Sequence, residues 1–225
     1  MTETTPSGPT PGFRVVSALE LLVGAFVVIG HNVFHVVPNE VPILVVFGLL
    51  STRLRDRGWA AMGFSRPASW TRTIQIAVAA AALRIVLGEY VIDPITSRFW
   101  PPAVAPALAS DIPGNTRMAA LALLIVWTFA AFGEEIAYRG YLLGRAADLG
   151  GRSPAAYLAG VVLVSILFGY GHFYKGPSGI VDSGVAGLIL GVAFLVSGRN
   201  LWACILAHGL IDTFGVVAIY CGWAT

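Results

Sequence analysis

Charged residues are scarce in this sequence: they make up only 12% of its 225 positions, against about 25% in soluble domains. Apolar residues account for 56%, and the mean hydropathy is +0.77. A soluble fold of this length cannot hide that much apolar surface from water. The low charge therefore excludes a soluble protein and predicts an integral membrane protein.

Cysteine is equally rare, since the chain contains only Cys204 and Cys221. There is no CxxC motif and no Cys/His spacing typical of a metal site, so we expect two apolar core cysteines and no disulfide framework. The formal net charge of +2 is too small for nucleic-acid binding, because the arginines lie in short connectors and not in one patch.

The hydrophobic runs predict an all-α polytopic bundle of about seven transmembrane helices. A helical span needs about 20 mostly apolar residues. Residues 1–13 are polar and rich in Pro, Gly and Thr, which predicts a disordered cytoplasmic tail, and residues 14–225 form one transmembrane domain without internal repeats. The predicted helices are Ser17–Val37, Val41–Thr52 (short), Thr71–Ile92, Thr116–Asp148, Pro154–Gly171, Gly179–Ser197 and Leu201–Tyr220.

The distribution of arginine predicts the orientation in the cell membrane. Five arginines lie between residues 53 and 72, where only Asp56 offsets them. By the positive-inside rule this connector is cytoplasmic. Alternation of the spans then places the N-terminus in the cytoplasm and the C-terminus outside.

The segment Thr116–Asp148 is too long for one straight span, since it would measure about 50 Å at 1.5 Å per residue. It must break near Gly133 or extend beyond the bilayer, and helix-rise arithmetic favours a hairpin with the next helix that projects into the cytoplasm. In that arrangement Glu134, His172 and His208 lie at similar depth. Three polar clusters can therefore converge.

The first cluster is Glu134-Glu135 with Arg139. Glu135 and Arg139 are four residues apart, the spacing at which a carboxylate and a guanidinium meet on one helix face. Glu134 points elsewhere and lacks this partner, so burial would make its carboxylate a stronger proton acceptor, as a general base requires. An ion pair at a helix end with a solvated Glu134 is the structural alternative.

The other clusters contain histidine. His172 lies four residues after Phe168, and His208 four residues before Asp212. Either pair could act on a substrate, but a capping histidine and a His–Asp pair that joins helices are the structural alternatives. His31 and His35 also have this spacing, and we expect them to be interfacial or packing residues.

Three motifs in this order resemble the CPBP family, the CAAX-protease and bacteriocin-processing (Abi) intramembrane proteases related to the Rce1-type prenyl protease. They are Glu-Glu-x-x-x-Arg at 134–139, Phe-x-x-x-His at 168–172 and His-x-x-x-Asp at 208–212. The flanking residues are similar as well, and the resemblance covers about residues 116–220. It implies an intramembrane glutamic endopeptidase.

The resemblance also implies roles for the residues. Glu134 would activate water, His172 would position it, and His208 with Asp212 would stabilise the oxyanion, while Glu135 and Arg139 give structural support. The family often has Asn where this chain has Asp212, and a carboxylate cannot donate a hydrogen bond unless protonated. Asp212 is therefore also a candidate for orienting His208.

Three functions remain open at this point. The resemblance implies no cofactor, whereas two histidines and a carboxylate would also suit zinc in a metalloprotease, although HExxH is absent. A non-catalytic binding or transport module with a polar cavity is the third. The expected partners are the lipid bilayer and a peptide or membrane-protein substrate, prenylated or not; the oligomeric state is left open.

Overall fold

Seven α-helices account for most of the residues that this computed structural model describes, which are 9–105 and 107–223. These residues contain no β-strand, so the all-α prediction is confirmed. The helices are α1 (Pro11–Asn32), α2 (Glu40–Arg55), α3 (Trp70–Thr96), α4 (Thr116–Leu149), α5 (Pro154–Tyr170), α6 (Gly176–Val196) and α7 (Leu201–Cys221).

Polar residues directly before the apolar runs determine where six of the helices begin. Each accepts a hydrogen bond from a backbone N–H of the first turn, which would otherwise have no partner. These residues are Thr10, Asn39, Ser69, Asn115, Ser153 and Asn200. The local sequence thus sets the starts of the helices independently of their packing.

The N-terminal helix differs from the prediction. It begins at Pro11 and ends at Asn32, whereas the hydrophobic run suggested Ser17–Val37. Thr10 and Pro11 are a cap and a first-turn proline, so residues 11–13 of the predicted tail are helical. Residues 1–8 of that tail lie outside the described residues, and the single-domain prediction stays a prediction.

Five helices among the described residues are long and apolar enough to cross a membrane. They are α1, α3, α4, α7 and α6 with the turn before it, whereas α2 and α5 have 16 and 17 residues. Large apolar side chains such as Leu22, Phe26 and Leu124 are exposed on the outer faces of the helices. The protein is therefore a multi-pass membrane protein whose exposed apolar faces suit lipid contact.

Helix α4 runs through the centre of the bundle without a break. Its first half, 116–130, is mostly exposed, whereas residues 131–148 are almost entirely buried. A Cβ added at Gly24 of α1, Gly48 of α2 or Gly160 of α5 would lie closer than 3.0 Å to side chains of α4. Helices α1, α2 and α5 thus cover the second half of α4, and the projection of this hairpin beyond the bilayer stays a prediction.

A buried ionic cluster lies at the C-terminal end of α4. Arg145 lies 2.7 Å from both Glu20 of α1 and Asp56, and 3.1 Å from Asp148. Arg152 pairs with Asp56 at 2.7 Å and with Asp148 at 2.6 Å. These bonds join α4 to the hairpin of α1 and α2.

The charge state of Asp56 follows from this cluster. Burial alone would raise the pKa of its carboxyl, but hydrogen bonds and positive charge from Arg145 and Arg152 outweigh burial and lower the pKa below its ordinary value. Asp56 belongs to the arginine-rich connector, so part of that connector stabilises the fold. Its neighbour Arg55 likewise pairs with Glu20 at 2.8 Å.

The expectations about the cysteines and the N-terminal histidines are confirmed in part. Cys204 is buried, as expected, but Cys221 is exposed at the end of α7. His31 packs between the backbone oxygen of Val37 at 3.0 Å and the carboxylate of Glu40 at 3.3 Å. His31 therefore joins α1 to the start of α2, as its packing interpretation suggested.

Candidate active site

A buried triad of Glu135, Arg139 and His208 connects α4 with α7. Arg139 Nη1 donates a hydrogen bond of 2.8 Å to Glu135 Oε1, and His208 Nδ1 lies 2.7 Å from the same oxygen. The side chains of Glu135 and Arg139 are 0% and 2% exposed. One carboxylate oxygen therefore fixes the position of the imidazole, a contact that helical spacing within α4 does not reveal.

His208 has a carboxylate at each ring nitrogen. Besides the Glu135 contact at Nδ1, its Nε2 lies 3.5 Å from Asp212 Oδ2, one helical turn further along α7. Each nitrogen can satisfy a carboxylate oxygen only by carrying a hydrogen. This geometry suits the doubly protonated, positively charged ring.

Arg139 is held by two further contacts. Its Nη2 donates to the backbone oxygen of Gly187 in α6 at 3.2 Å, and its guanidinium lies 4.5 Å from the ring centre of Phe168 in α5. Phe168, the first residue of the Phe-x-x-x-His motif, therefore packs against the buried cation. Arg139 links three helices around the triad.

His172 lies just beyond the C-terminal end of α5, and α6 begins four residues later. Its Nδ1 is 2.9 Å from the backbone oxygen of Phe168, which makes Nδ1–H the donor and leaves Nε2 as an acceptor. The ring packs 4.8 Å from that of Phe168. The predicted spacing of four residues thus brings both residues to one place, although His172 follows the helix instead of lying in it.

Glu134 differs from Glu135 in its surroundings. Its side chain lines a cavity of about 560 Å³, together with His172, His208 and Asp212. Among the described residues its buried Oε2 has no hydrogen-bond partner. The structure therefore brings the four residues predicted as catalytic to one cavity, with one unpartnered carboxylate among them.

The backbone of α4 is unusual at this position. It adopts wider π-helical turns over Val126–Glu134 and again over Ile136–Leu142. Such turns leave backbone groups less regularly paired and often occur at functional sites. They replace the break that the sequence suggested near Gly133, so the helix continues while the register of its side chains changes beside Glu134.

The connection between α3 and α4 covers the cavity on one side, which we call the outer side. Leu108, Ala109 and Ile112 of this connection line the cavity. Val104 N donates to the backbone oxygen of Lys175 at 3.0 Å, and Ser178 Oγ donates to that of Pro101 at 2.7 Å. The proline-rich loop is therefore attached to the start of α6.

The zinc alternative receives no support from the donor arrangement. In residues 9–105 and 107–223, no three His, Cys, Asp or Glu side chains form a group that could hold a metal ion. The nearest set has Nδ1 of His208 directed at Glu135, whose oxygen also binds the Arg139 cation. A guanidinium in that position opposes binding of a second cation.

Sequence reasoning missed several residues around the site. Trp127 Nε1 donates to Thr213 Oγ1 at 3.2 Å, and the Trp127 ring packs against Gly209, so this pair holds α4 against α7. Gly209 therefore permits close packing as expected, whereas Gly215 faces open space and lines the cavity. An indole within an apolar run gives no sequence signal of these contacts.

A comparison with protein families gives one match. Residues 116–214, somewhat less than half of the 225-residue chain, match the model described as type II CAAX prenyl endopeptidase Rce1-like. The matched region contains all seven residues of the predicted site. No match was found among the curated proteins or the solved structures with which the chain was compared.

Proposed function

We propose that the chain hydrolyses peptide bonds with a glutamate-activated water, because residues 116–214 are similar to the Rce1-like type II CAAX prenyl endopeptidases. The observation that carries the proposal is the unpartnered carboxylate of Glu134 in a cavity shared with two histidines. A buried carboxylate without a donor is costly, and water in the cavity would supply that donor.

The proposed reaction begins with water bound between Glu134 and His172. Glu134 accepts one proton as the water oxygen attacks the carbonyl carbon of the substrate, while Nε2 of His172 accepts the second hydrogen of the water as a hydrogen bond. Glu134 then delivers its proton to the nitrogen of the leaving amine, and the C–N bond breaks. The products are a carboxylic acid and an amine, and Glu134 returns to its starting state.

His208 stabilises the negative oxygen that forms in this reaction. A positively charged imidazole held between Glu135 and Asp212 acts through its fixed charge, because both of its N–H groups face carboxylates, and such preorganised charge lowers the barrier most when water is excluded. Asp212 accepts from His208 instead of donating to the substrate. This assignment accounts for an aspartate where the related proteases often have asparagine, because either oxygen can accept the imidazole hydrogen.

The test of this function is Glu134→Gln, which keeps the size of the side chain and removes its basicity. We expect proteolysis to be lost while membrane insertion and thermal stability stay at the wild-type level. Asp111→Asn is the matched control, since Asp111 is exposed and does not line the cavity. Comparing membrane-proteome peptide ends between cells with wild type and with Glu134→Gln also identifies the substrate.

Three outcomes distinguish the alternatives. Loss of cleavage on chelation, together with bound metal by elemental analysis, would replace the glutamate mechanism with a metal-dependent one. Wild-type cleavage by Glu134→Gln would refute the role of Glu134. Identical peptide ends in both strains, with a substrate still bound, would favour the non-catalytic binding module.

We also propose the orientation that the arginine distribution suggests. The arginine-rich connector and the ionic cluster then face the cytoplasm, and the end of α7 faces outward. Exposed Cys221 offers a direct test, with buried Cys204 as the internal control. A membrane-impermeant maleimide added to intact cells should label Cys221, and labelling only after permeabilisation would reverse the orientation.

A further inference from the structure

The outer part of the cavity is rich in carboxylates. Five carboxylates line the cavity, against two side chains with a permanent positive charge, Arg84 and Lys175. Glu134 and Asp212 belong to the proposed catalytic centre. The other three, Glu89 and Asp93 of α3 and Asp182 of α6, have no part in the chemistry proposed above.

Arg84 does not offer its charge to a ligand. Both oxygens of Asp182 accept hydrogen bonds from its Nη2. The guanidinium also lies over Gly88 of its own helix, where an added Cβ would collide with it. Arg84 and Asp182 thus neutralise each other in the cavity wall and hold α3 against α6.

Glu89 and Asp93 have no ion-pair partner among the described residues, and together they outnumber Lys175, the other cation that lines the cavity. In the described residues neither side chain takes part in an ion pair or a hydrogen bond, and both are exposed on the cavity wall. They are four residues apart. The segment Gly88–Ile92, which contains Glu89 and directly precedes Asp93, has π-helical turns, as does the cavity-lining part of α4. Two helices are therefore widened where they face the same space.

The length of this wall suits an extended peptide. From Arg84 to Asp93 α3 rises about 13 Å at 1.5 Å per residue, which matches about four residues of extended chain at 3.3 Å each. Uncompensated carboxylates in a cleft with low-dielectric walls create a negative potential that attracts cations and repels anions. The walls of the cavity are mostly apolar, so this field extends towards Glu134.

We propose that Glu89 and Asp93 select substrates that carry a lysine or arginine beside the scissile bond, on the segment that occupies the outer part of the cavity. This inference rests on the proposed peptidase function, because that function is the reason to expect a peptide as the ligand. It adds a substrate class that the catalytic residues do not specify.

Binding to Glu134→Gln tests the selection without cleavage. The probes are dansylated hexapeptides that are identical except for lysine, alanine or glutamate at one central position, and fluorescence measures their Kd. We expect lysine to bind about fivefold more tightly than glutamate, since an exposed charge pair contributes up to about a fivefold factor. Glu89→Gln with Asp93→Asn in this background should reduce the ratio below about twofold.

Two control variants and a change in ionic strength separate this effect from that of the overall charge of the protein. Asp111→Asn removes an exposed carboxylate outside the cavity and should leave the ratio unchanged. Asp93→Lys should shift the preference towards the glutamate peptide. The lysine preference should also decrease as ionic strength rises from about 0.01 to 0.15 M, because salt screens exposed charges. Equal binding of the three peptides, or an unchanged ratio in the double variant, would overturn the proposal.

Cleavage of the same peptides by the wild-type protein separates this inference from the proposed function. Lysine-selective binding without cleavage would refute the peptidase and leave the acidic selectivity standing as a property of the cavity. Cleavage that depends on Glu134 but shows no lysine preference would refute the selectivity alone.

Discussion

Replacing Arg139 with methionine should destabilise the protein strongly, because Arg139 is a buried cation at the centre of the triad. Its guanidinium is 2% exposed, lies 2.8 Å from Glu135 and packs 4.5 Å from the ring centre of Phe168. Methionine has a similar length and fills most of the same volume. The substitution therefore removes the charge with little change in packing.

The expected magnitude follows from the carboxylate left behind. Removing one partner of a buried ion pair costs about 3–5 kcal/mol, since the other charge stays buried without compensation. His208 continues to donate to Glu135, which favours the lower part of this range. We therefore expect a loss of about 3 kcal/mol in the free energy of unfolding, roughly a hundredfold change in the folding equilibrium.

The assay is reversible unfolding of the purified variants in detergent. Arg66→Met is the matched control, since Arg66 is exposed and has no ion pair among the described residues, and it should change the free energy of unfolding by less than about 0.5 kcal/mol. Adding Glu135→Gln to Arg139→Met removes the uncompensated charge and should recover part of the loss. A loss below about 1 kcal/mol for Arg139→Met, or a double variant less stable than the single one, would refute the reasoning.

Three further predictions concern the packing at Gly209, the orientation of the His208 ring and the pH dependence of stability. Gly209→Ala should cost about 1–3 kcal/mol of stability, since its Cβ would lie 2.5 Å from an indole, whereas Gly215→Ala has open space and should cost little; thermal unfolding tests both. Asp212→Asn should keep peptide cleavage within about tenfold of wild type and His208→Ala should not, because asparagine retains an oxygen acceptor; equal losses would contradict this. Asp56 has a lowered pKa, so its stabilising contribution is complete above the unfolded value of about 3.9 and is lost as pH falls towards the folded value. Asp56→Asn should therefore be less stable at pH 7 and flatten the acid limb of a melting-temperature profile, and an unchanged limb would exclude the ion pairs as its cause.

Much of the fold could be read from local sequence. The starts of α2, α3, α4, α5 and α7 lie within one residue of the predictions, because a polar cap precedes an apolar run at each place. The start of α1 was missed because Pro11 belongs to a polar segment, where hydropathy gives no signal. The capping residue and the first-turn proline of α1 lie outside the apolar run, so a prediction from hydropathy alone makes this helix too short.

The course of α4 could not be predicted from its length. Length arithmetic allowed a break or a projecting hairpin. The structure has a continuous helix with π-helical turns, which excludes the break, whereas the projection stays a prediction. Neighbouring helices cover residues 131–148, and that coverage depends on close approaches at glycines of α1, α2 and α5. Such approaches depend on which two helices pack together, and the sequence of a single segment does not show this.

The sequence by itself determined that the chain is an apolar helical bundle and that Glu135 and Arg139 share a helix face, because hydropathy and helical spacing are local properties. It also supplied the three motifs. Only the tertiary structure decided that His208 binds the same oxygen of Glu135 as Arg139, whereas Glu134 has no hydrogen-bond partner among the described residues. The physical reason is that Glu135 of α4 and His208 of α7 are 73 residues apart in the sequence. The burial of these side chains and the hydrogen bond between them arise only where the two helices pack together.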